Sequence, residues 1–390
     1  MTVISALELI LSSVLALGGA AWCGAIYAGL RFPGRQRQRH AATPYLPAVT
    51  LLKPVCGLEK NLSFNLRTAC TQDYPDYQVV YSVQSAHDPA LPLLRELERE
   101  FGAPRVCVVV GDVHLGMNGK VDNLAGALPY ARHDILVISD SDVGLKPNYL
   151  RAIVAPLQDE TVGGVSTFFR GKDAGPWYEQ MELLTLDADH FGMALFAGLL
   201  KIDDFCFGAS FAFRRETLER IGGLPAVANY LVEDNEMGQR ILRLGLRLVT
   251  VPYVVDTTID LRSAGRWWQK MTYWDQNTRA ARPLVFAASL ILRIIPLSLL
   301  LAALRGFDAW GVGVVLGSIA LRITAGAVII GLALGDLASL RSLWLIPAKD
   351  VLSLFWFFRA MAKRTVVWRG VEFALTSDGR FIPPKAQGEA

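Results

Sequence analysis

The sequence predicts an α/β protein in which a mostly parallel β-sheet domain is flanked by transmembrane helices. Hydrophobic residues make up 52% of the 390 residues, a share too high for an ordinary soluble enzyme. Long apolar runs lie near both ends of the chain, whereas strand-like and helix-like stretches alternate between them. We therefore predict an N-terminal anchor with a basic linker at 1–39, an α/β domain at 40–282 and a C-terminal membrane region at 283–390.

The N-terminal apolar run covers residues 3–30, which is long enough to cross a hydrocarbon core of about 30 Å. A cleavable signal peptide would have a basic start and a shorter apolar core, and this run has neither. Arg31, Arg35, Arg37 and Arg39 follow it, while no basic residue precedes it. By the positive-inside rule, the end of this span and the domain after it face the cytoplasm.

The C-terminal apolar runs at 283–304 and 310–334 predict two further spans. Arg293 and Arg322 fall inside them and are costly in lipid, so we expect each to pair, to face protein or to reach the interface. A last segment at 343–364 is interrupted by proline, lysine and aspartate. We predict a re-entrant or interfacial segment there, with the tail returning to the cytoplasm, and an ordinary fourth span is the alternative.

The central region resembles a parallel sheet covered by helices on both faces, whose ligands bind at the carboxyl ends of the strands. It contains no dinucleotide-binding glycine motif and no phosphate-binding loop of the Walker type. The net charge of +3 argues against a nucleic-acid partner, and the five cysteines lack the spacing of a zinc site. The predicted strands are 48–54, 77–83, 105–111, 134–139 and 162–168, and the clearest predicted helices are 91–101 and 122–131.

Acidic residues follow two of these strands. Asp140 and Asp142 come directly after 134–139, and side chains two residues apart on an extended chain share one face. Two such carboxylates could hold Mg²⁺ or Mn²⁺, although a turn or a helix cap is the ordinary role of this spacing. Asp88 follows the strand at 77–83, where capping of the next helix is the alternative to a binding role.

Two further acidic pairs lie on predicted helices. Glu233 and Asp234 begin an amphipathic helix, where acids also simply complement the helix dipole. Asp187 and Asp189 precede His190 on another helix, and residues two apart on a helix diverge. The second pair is therefore the weaker candidate for a shared site.

Taken in order, these motifs resemble a known family. Asp88, "SDSD", "VEDNEM" and the aromatic, basic "RWWQKMTYW" resemble the processive-type inverting glycosyltransferases of the GT-A (nucleotide-diphospho-sugar transferase) fold. More narrowly, the chain resembles the ceramide glucosyltransferase family, glycosyltransferase family 21, which includes bacterial relatives that glycosylate hopanoids. The resemblance runs from about residue 45 to about residue 375, and its further motifs are "LLKPVCGLEKNLSFNL", "DYPDYQVVYSVQSAHDPA", "NGKVDNL", "GGLPAVANYLVEDNEMG" and "TVVWRGVEF".

The resemblance implies a role for each matching residue. Asp88 would contact the uracil or ribose of a UDP-sugar, and Asp140 would belong to the same donor site. Asp142 would ligate Mg²⁺ or Mn²⁺, and Asp234 would be the general base. Lys120 would suit a phosphate contact, with a solvated surface lysine as the alternative.

The aromatic motif departs from the family pattern. The family has Gln or Arg, two further residues and then Arg-Trp, whereas this chain has "KMTYW". Trp274 is the one clean match and is assigned to UDP-sugar binding, while Lys270 or Arg266 would have to replace the family arginine. Trp267 and Trp268 would face the lipid acceptor at the membrane interface, and burial in a domain core is the alternative.

The implied activity is transfer of glucose or N-acetylglucosamine from a UDP-sugar to the hydroxyl of a membrane lipid, either ceramide or a hopanoid, with inversion. The implied location is the bacterial inner (cytoplasmic) membrane, where a multi-pass chain would have the bilayer, its lipid acceptor and the UDP-sugar as partners. Three alternatives remain open. They are a processive polysaccharide synthase, a polyprenyl-phosphate sugar transferase and a nucleotide-sugar sensor with an inactive site.

Overall fold

The computed structural model describes residues 3–38, 45–202, 204–363, 365–368, 371–376 and 378–382, so Arg39 of the basic linker lies outside the described residues. The helices are α1 Val3–Gln38, α2 Leu62–Cys70, α3 Leu91–Phe101, α4 Gly119–Ala127, α5 Tyr149–Val154, α6 Trp177–Leu184, α7 Phe191–Leu199, α8 Arg215–Arg220, α9 Glu233–Arg243, α10 Ala264–Ala281, α11 Pro283–Ala288, α12 Ile294–Leu304, α13 Ala309–Gly326 and α14 Ile346–Ala362. The strands are β1 Val49–Pro54, β2 Tyr77–Val83, β3 Val106–Val110, β4 Ile135–Ser139, β5 Val143–Gly144, β6 Val162–Lys172, β7 Ser210–Arg214, β8 Arg247–Thr258, β9 Thr365–Trp368, β10 Val371–Leu375 and β11 Phe381–Ile382.

The chain forms two compact units. The helical unit comprises Met1–Gln38, Ala174–Lys201 and Leu261–Ala374, and the sheet unit comprises Arg39–Asp173, Ile202–Asp260 and Leu375–Ala390. These bounds differ from the three consecutive segments that the sequence predicts, because 174–201 and 261–282 group with the helical unit and 375–390 groups with the sheet unit.

The sheet unit is built on an eight-stranded mixed sheet with the order β3-β2-β1-β4-β7-β6-β8-β5. β3, β2, β1 and β4 are parallel to one another, and β6 is parallel to β8. β7 runs antiparallel to both β4 and β6. Every residue of β1, β2 and β4 is buried, as expected for strands that are covered on both faces.

The long strand β8 is absent from the sequence prediction, and its Pro252 explains why. Proline cannot donate to a strand ladder and is confined to edges and bulges. Thr167 of β6 pairs with Val251 and the next residue, Phe168, pairs with Val254, so Pro252 lies in a bulge of β8. A bulge of this kind breaks the alternation by which a strand is recognised from sequence.

The helical unit contains the apolar runs. Ile4–Gln36 and Ala309–Ala333 are helices long and apolar enough to cross a membrane. A third candidate, Pro283–Leu292 with Ile294–Leu304, is bent by 57° at its break, so it is either one broken span or a re-entrant loop. The last predicted segment forms α14, and its topology stays a prediction.

The two arginines in these apolar runs are paired, which confirms the expectation from their cost in lipid. Arg293 donates to Asp275 at 3.0 Å, and Arg322 donates through Nε to Asp350 at 2.7 Å. Both acids lie in the helical unit. Each cation is therefore compensated inside the protein.

Candidate active site

The candidate site lies in the sheet unit where β4 ends. Ser139, the last residue of β4, pairs with Ser210, the first residue of the antiparallel β7. The chain before β7 therefore meets the chain after β4, and the amide of Asp140 donates to the carbonyl of Ala209 at 3.2 Å. Carboxyl ends of parallel strands are where open α/β sheets bind their ligands.

Lys120, in the first turn of α4, is the centre of the site. Its Nζ lies 2.7 Å from Oδ1 of Asp140 and 3.0 Å from Oε1 of Glu233, and it donates to the carbonyl of Gly208 at 3.4 Å. Burial opposes the charge, but the carboxylates of Asp140, Glu233 and Asp234 raise the pKa of Lys120 well above its usual value. The ammonium thus stays charged and holds together acids that lie far apart in the sequence.

Asn118 fixes the starts of two helices at this point. Its side-chain oxygen caps α4 by accepting from the amides of Lys120 at 3.0 Å and Val121 at 3.3 Å. Its amide nitrogen donates to the carbonyl of Tyr230 at 2.9 Å and to Oε2 of Glu233 at 3.1 Å. The first turns of α4 and α9 are therefore tied to one another.

Asp234 lies in the first turn of α9 and shares a small cavity with Lys120, Gly208 and Glu233. Burial, followed by repulsion from Glu233, raises the pKa of Asp234 to about 7, while Lys120 opposes that rise. A methyl group on Gly208 would lie 2.5 Å from Oδ2 of Asp234, so a glycine there leaves room for the carboxylate. A carboxylate with a pKa near neutrality is suited to accept a proton at physiological pH.

The turn that carries Asp142 is held through its backbone. The carbonyl of Asp142 accepts from Nδ2 of Asn65 at 3.0 Å and from the amide of Thr258 at 2.9 Å. Lys53, fully buried in β1, donates to the carbonyls of Asp140 at 2.6 Å and Val143 at 3.0 Å. The backbone of the turn that carries Asp142 is thus held by neighbours on β1, α2 and β8.

Lys53 is a contributor that the sequence analysis missed. Burial lowers the pKa of Lys53 to about 8, although Asp142 and Asp140 counteract that effect. A lysine inside an otherwise buried strand was the available signal, because lysine is almost never fully buried without acceptors for its ammonium.

The two acids of the "SDSD" motif are not equivalent. Both are half-buried; the side chain of Asp140 pairs with Lys120 at 2.7 Å, and the backbone of Asp142 accepts from Asn65 and Thr258. Within the described residues, no group of three or more His, Cys, Asp or Glu side chains is arranged to hold a metal ion. Magnesium-like ions commonly take only one or two protein carboxylates and complete their shell with water and substrate phosphates, and a metal contact by Asp142 stays a prediction.

Asp88 lies beyond the end of β2 and has structural partners. Its two carboxylate oxygens accept from the amide of Gly57 at 3.1 and 3.0 Å, and Oδ1 also accepts from the amide of Ala90 at 2.8 Å. The contact with Ala90 holds the turn before α3, but the N-cap of α3 is Ala90 and no side chain caps it, so the capping role that the sequence offered as an alternative is wrong. A donor contact by Asp88 stays a prediction.

The tryptophans singled out in the sequence lie on α10, in the helical unit. Trp267 is buried, and its ring lies 5.4 Å from that of Trp177 and 5.1 Å from that of Trp356. Trp268 is half-buried and also packs on Trp356 at 5.6 Å, while Trp274 packs on His190 at 5.4 Å. Their predicted roles toward acceptor and donor stay predictions.

Lys270, which the sequence offered as a substitute for the family arginine, is engaged within the helical unit. Its Nζ lies 2.6 Å from Oε1 of the buried Glu182. The other candidate, Arg266, is exposed near the start of α10. A diphosphate contact by either residue stays a prediction.

Comparison with known proteins gives one family across nearly the whole chain. The family described as Glycosyl transferase family 21 matches residues 10–381. Ceramide glucosyltransferase 1 of Caenorhabditis elegans is 22% identical over 395 residues, which cover 96% of this chain and 82% of that protein. The ceramide glucosyltransferase of Komagataella phaffii is 31% identical over 137 residues, which cover 34% of this chain and 27% of that protein.

A solved structure agrees on the fold. A mannosyltransferase from Pyrobaculum calidifontis, solved in complex with GDP-Man and Mn²⁺, matches with a TM-score of 0.53 at 20% identity. The match covers 90% of this chain and 99% of that chain. This likeness confirms the GT-A fold that the sequence predicts, and the candidate spans of this chain agree with the predicted flanking helices.

Proposed function

Because the chain belongs to glycosyl transferase family 21, we propose that it transfers glucose from UDP-glucose to the hydroxyl of a ceramide-class lipid, with inversion at the anomeric carbon. The observation that carries this proposal is the cluster around Lys120. It brings Asp140, Glu233 and Asp234 together near the carboxyl end of β4, and such sheets bind their ligands at the carboxyl ends of their strands. The ceramide glucosyltransferases among the relatives favour glucose and ceramide over N-acetylglucosamine and a hopanoid.

Asp234 is the base in this proposal. Its carboxylate removes the proton of the lipid hydroxyl while that oxygen attacks the anomeric carbon of the sugar. The new carbon–oxygen bond forms as the bond from the anomeric carbon to the phosphate oxygen breaks, so UDP leaves and the proton stays on Asp234. A raised pKa supports this role, because a base is most effective when its pKa lies near the working pH.

Asp142 would hold Mg²⁺ or Mn²⁺ together with the donor diphosphate. The bound ion would supply positive charge beside the leaving diphosphate. The Mn²⁺ in the complex of the Pyrobaculum calidifontis mannosyltransferase supports the choice of a divalent cation. Lys53 and Asn65 position the turn that presents Asp142.

Lys120 and Asp88 complete the proposed donor site. The Lys120 ammonium already contacts Asp140, Glu233 and the carbonyl of Gly208, so a phosphate oxygen that binds Lys120 would replace one of them. Asp88 holds the loop at Gly57 and would accept from the uridine. A GDP-sugar is the competing donor, since the solved neighbour binds GDP-Man.

The membrane setting supports a lipid acceptor. The candidate spans Ile4–Gln36 and Ala309–Ala333 would anchor the chain in the bilayer where such a lipid resides. The arginines that follow the first span, Arg31 and Arg35, favour a cytoplasmic sheet unit, where UDP-glucose is available. The bacterial inner membrane remains our proposed location.

Product analysis tests the proposal. Full-length protein in detergent, given UDP-glucose, MnCl₂ and a short-chain ceramide, is expected to release UDP and form monoglucosyl ceramide in equal amounts. The product sugar should be a β-anomer by NMR, since the donor is an α-anomer. UDP-N-acetylglucosamine, UDP-galactose and GDP-mannose are run in parallel. A polymer, transfer to polyprenyl phosphate when it is supplied beside ceramide, or no product from any donor would each overturn the proposal in favour of one of the three alternatives.

The pH dependence of the reaction should follow Asp234. Since only ionised Asp234 accepts a proton, kcat/KM is expected to rise with pH through about 7, as the free enzyme loses that proton. Glu233→Gln removes the repulsion that helps to raise the pKa of Asp234. The rise of kcat/KM should therefore occur at lower pH in this variant. Measurement of kcat/KM from pH 5 to pH 9 checks both statements.

The matched control is Glu236→Gln, in the same turn of α9. Glu236 pairs with Arg240 at 2.8 Å. Loss of the Glu236 charge should therefore leave the rise of kcat/KM at the same pH as in the unchanged protein. If the pH profile of Glu233→Gln coincides with that of the unchanged protein, Asp234 is not the group whose ionisation causes the rise in kcat/KM.

A further inference from the structure

The helical unit contains a second polar site, a cavity of about 210 Å³. We call it the paired-charge cavity. Its walls come from α1, residues 185–193, α10, residues 283–293, α13 and α14, and two of these helices, α1 and α13, belong to the candidate membrane spans. Its lining includes the charged residues Asp189, Asp275, Arg293, Arg322, Lys349 and Asp350.

The charges in this cavity are balanced and mutually paired. Arg322 lies 2.7 Å from Asp350 and 2.5 Å from Asp189. Lys349 lies 2.9 Å from Asp350 and also pairs with Asp189. With the pair between Arg293 and Asp275 there are three cations and three carboxylates, so the set has no net formal charge.

Unsatisfied groups in the wall are hydrogen-bond donors. Among the described residues, the buried atoms without a hydrogen-bond partner include Nη1 of Arg322, Nε1 of Trp274 and Nε1 of Trp356. All three side chains line the cavity, and Arg322 and Trp356 are only 1% and 3% exposed. Buried donors normally have an acceptor, so their orphaned state indicates a ligand that supplies oxygen.

The wall also has a large apolar part. The guanidinium of Arg322 lies 3.6 Å from the ring centre of Trp22, and Met193 and Met271 lie nearby in the lining. A ligand that fits this wall has hydroxyl or carbonyl oxygens and an apolar body. Because the cations already have carboxylate partners, an anionic phosphate would find no uncompensated positive charge there.

We propose that the paired-charge cavity binds the uncharged, hydroxyl- and amide-bearing headgroup of a membrane lipid, the class to which the ceramide acceptor belongs. The identity of the lipid rests on the proposed function, whereas the existence of the site rests on the cavity and its orphaned donors. Burial among helices that can span a bilayer supports a lipid rather than a water-soluble polyol.

Binding without any sugar donor tests the site. Full-length protein in detergent is titrated with N-hexanoyl sphingosine or with dihexanoyl phosphatidic acid, and one-to-one adducts are quantified by native mass spectrometry. The ceramide is expected to bind at least about tenfold more tightly than the phosphatidic acid. Equal or tighter binding of phosphatidic acid would overturn the proposal.

Variants locate the binding. Trp356→Phe keeps an aromatic ring but removes one orphaned donor, so ceramide affinity should fall about 3- to 10-fold. Ser289→Met fills part of the cavity, and affinity should fall at least about tenfold. The matched control is Trp344→Phe, because Trp344 is 71% exposed and outside the lining, and its affinity should not change.

Thermal unfolding of each variant is recorded so that a misfolded protein is not counted as a loss of binding. If Trp356→Phe and Ser289→Met both fold and bind ceramide as the control does, the site is refuted even when the enzyme still makes glucosyl ceramide. If no product forms from any donor while the binding pattern holds, the proposed function fails and the site stands.

Discussion

Asp234→Asn is expected to lower kcat for glucosyl transfer by about 10²- to 10⁴-fold, the usual contribution of a general base. Asparagine has nearly the same size and shape as aspartate but cannot take up the proton of the lipid hydroxyl. The dissociation constant for UDP-glucose should stay within a few-fold, because Asp234 contacts the reacting hydroxyl in our proposal and not the nucleotide. Steady-state kinetics and calorimetric titration with UDP-glucose in the absence of ceramide measure the two quantities separately.

Glu236→Gln serves as the control for this change as well. Glu236 stands in the same turn of α9 as Asp234 and also carries a negative charge, but it pairs with Arg240. Its variant should keep kcat within about threefold. Asp234→Asn protein that retains more than one-tenth of the activity would show that another group accepts the proton.

Loss of charge at Asp234 has a second consequence, which separates catalysis from folding. Asp234 is one of three acids that raise the pKa of Lys120, so the contacts of Lys120 with Asp140 and Glu233 remain when Asp234 is neutral. The site should therefore keep its shape in the asparagine variant. An unfolding midpoint within a few degrees of that of the unchanged protein would confirm this.

The sequence predicts the sheet well where its strands are parallel and buried. The predicted strands at 48–54, 77–83 and 134–139 correspond to β1, β2 and β4 within about one residue at each end. Such strands are continuous apolar runs bounded by polar turns, so their pattern is visible without knowledge of their partners. β7 and β8 are different, because a short antiparallel insertion and a bulged strand have no comparable local signature.

The site could be predicted in part for the same reason. Asp140 and Asp142 follow a strand that is recognisable from the sequence. Their position at the carboxyl end of that strand is therefore a consequence of local sequence. The contact of Lys120 with Glu233 joins residues more than a hundred positions apart, and no spacing rule indicates it. Pairing across such distances depends on tertiary packing, which the sequence pattern alone does not reveal.

The paired-charge cavity, too, could be predicted only in part from the sequence. The cost of Arg322 in lipid predicts that it has a partner, and Asp350 meets that expectation. The second partner, Asp189, belongs to an acidic pair that helical geometry had marked as the weaker candidate for a shared site. Its contact with Arg322 comes from the packing of separate segments of the helical unit.

Asp142→Asn is expected to lower kcat at saturating donor by about 10²- to 10³-fold and to abolish the dependence of activity on Mn²⁺. A divalent cation contributes several kcal/mol to stabilisation of a leaving diphosphate, and each 1.36 kcal/mol is tenfold in rate. The amide of asparagine is a neutral and weaker ligand for such an ion. Activity measured against Mn²⁺ concentration, with UDP-glucose and ceramide held constant, provides the comparison.

Asp140→Asn distinguishes the two acids of the motif. Asp140 pairs with Lys120 at 2.7 Å, so its variant should lose activity by weakening the cluster while the Mn²⁺ concentration for half-maximal rate stays within about threefold. For Asp142→Asn, calorimetric titration of Mn²⁺ in the presence of UDP should show affinity reduced at least about tenfold. If the two variants instead change Mn²⁺ affinity equally, both carboxylates ligate the ion. Lys120 would then have to release Asp140 whenever the donor and its cation bind.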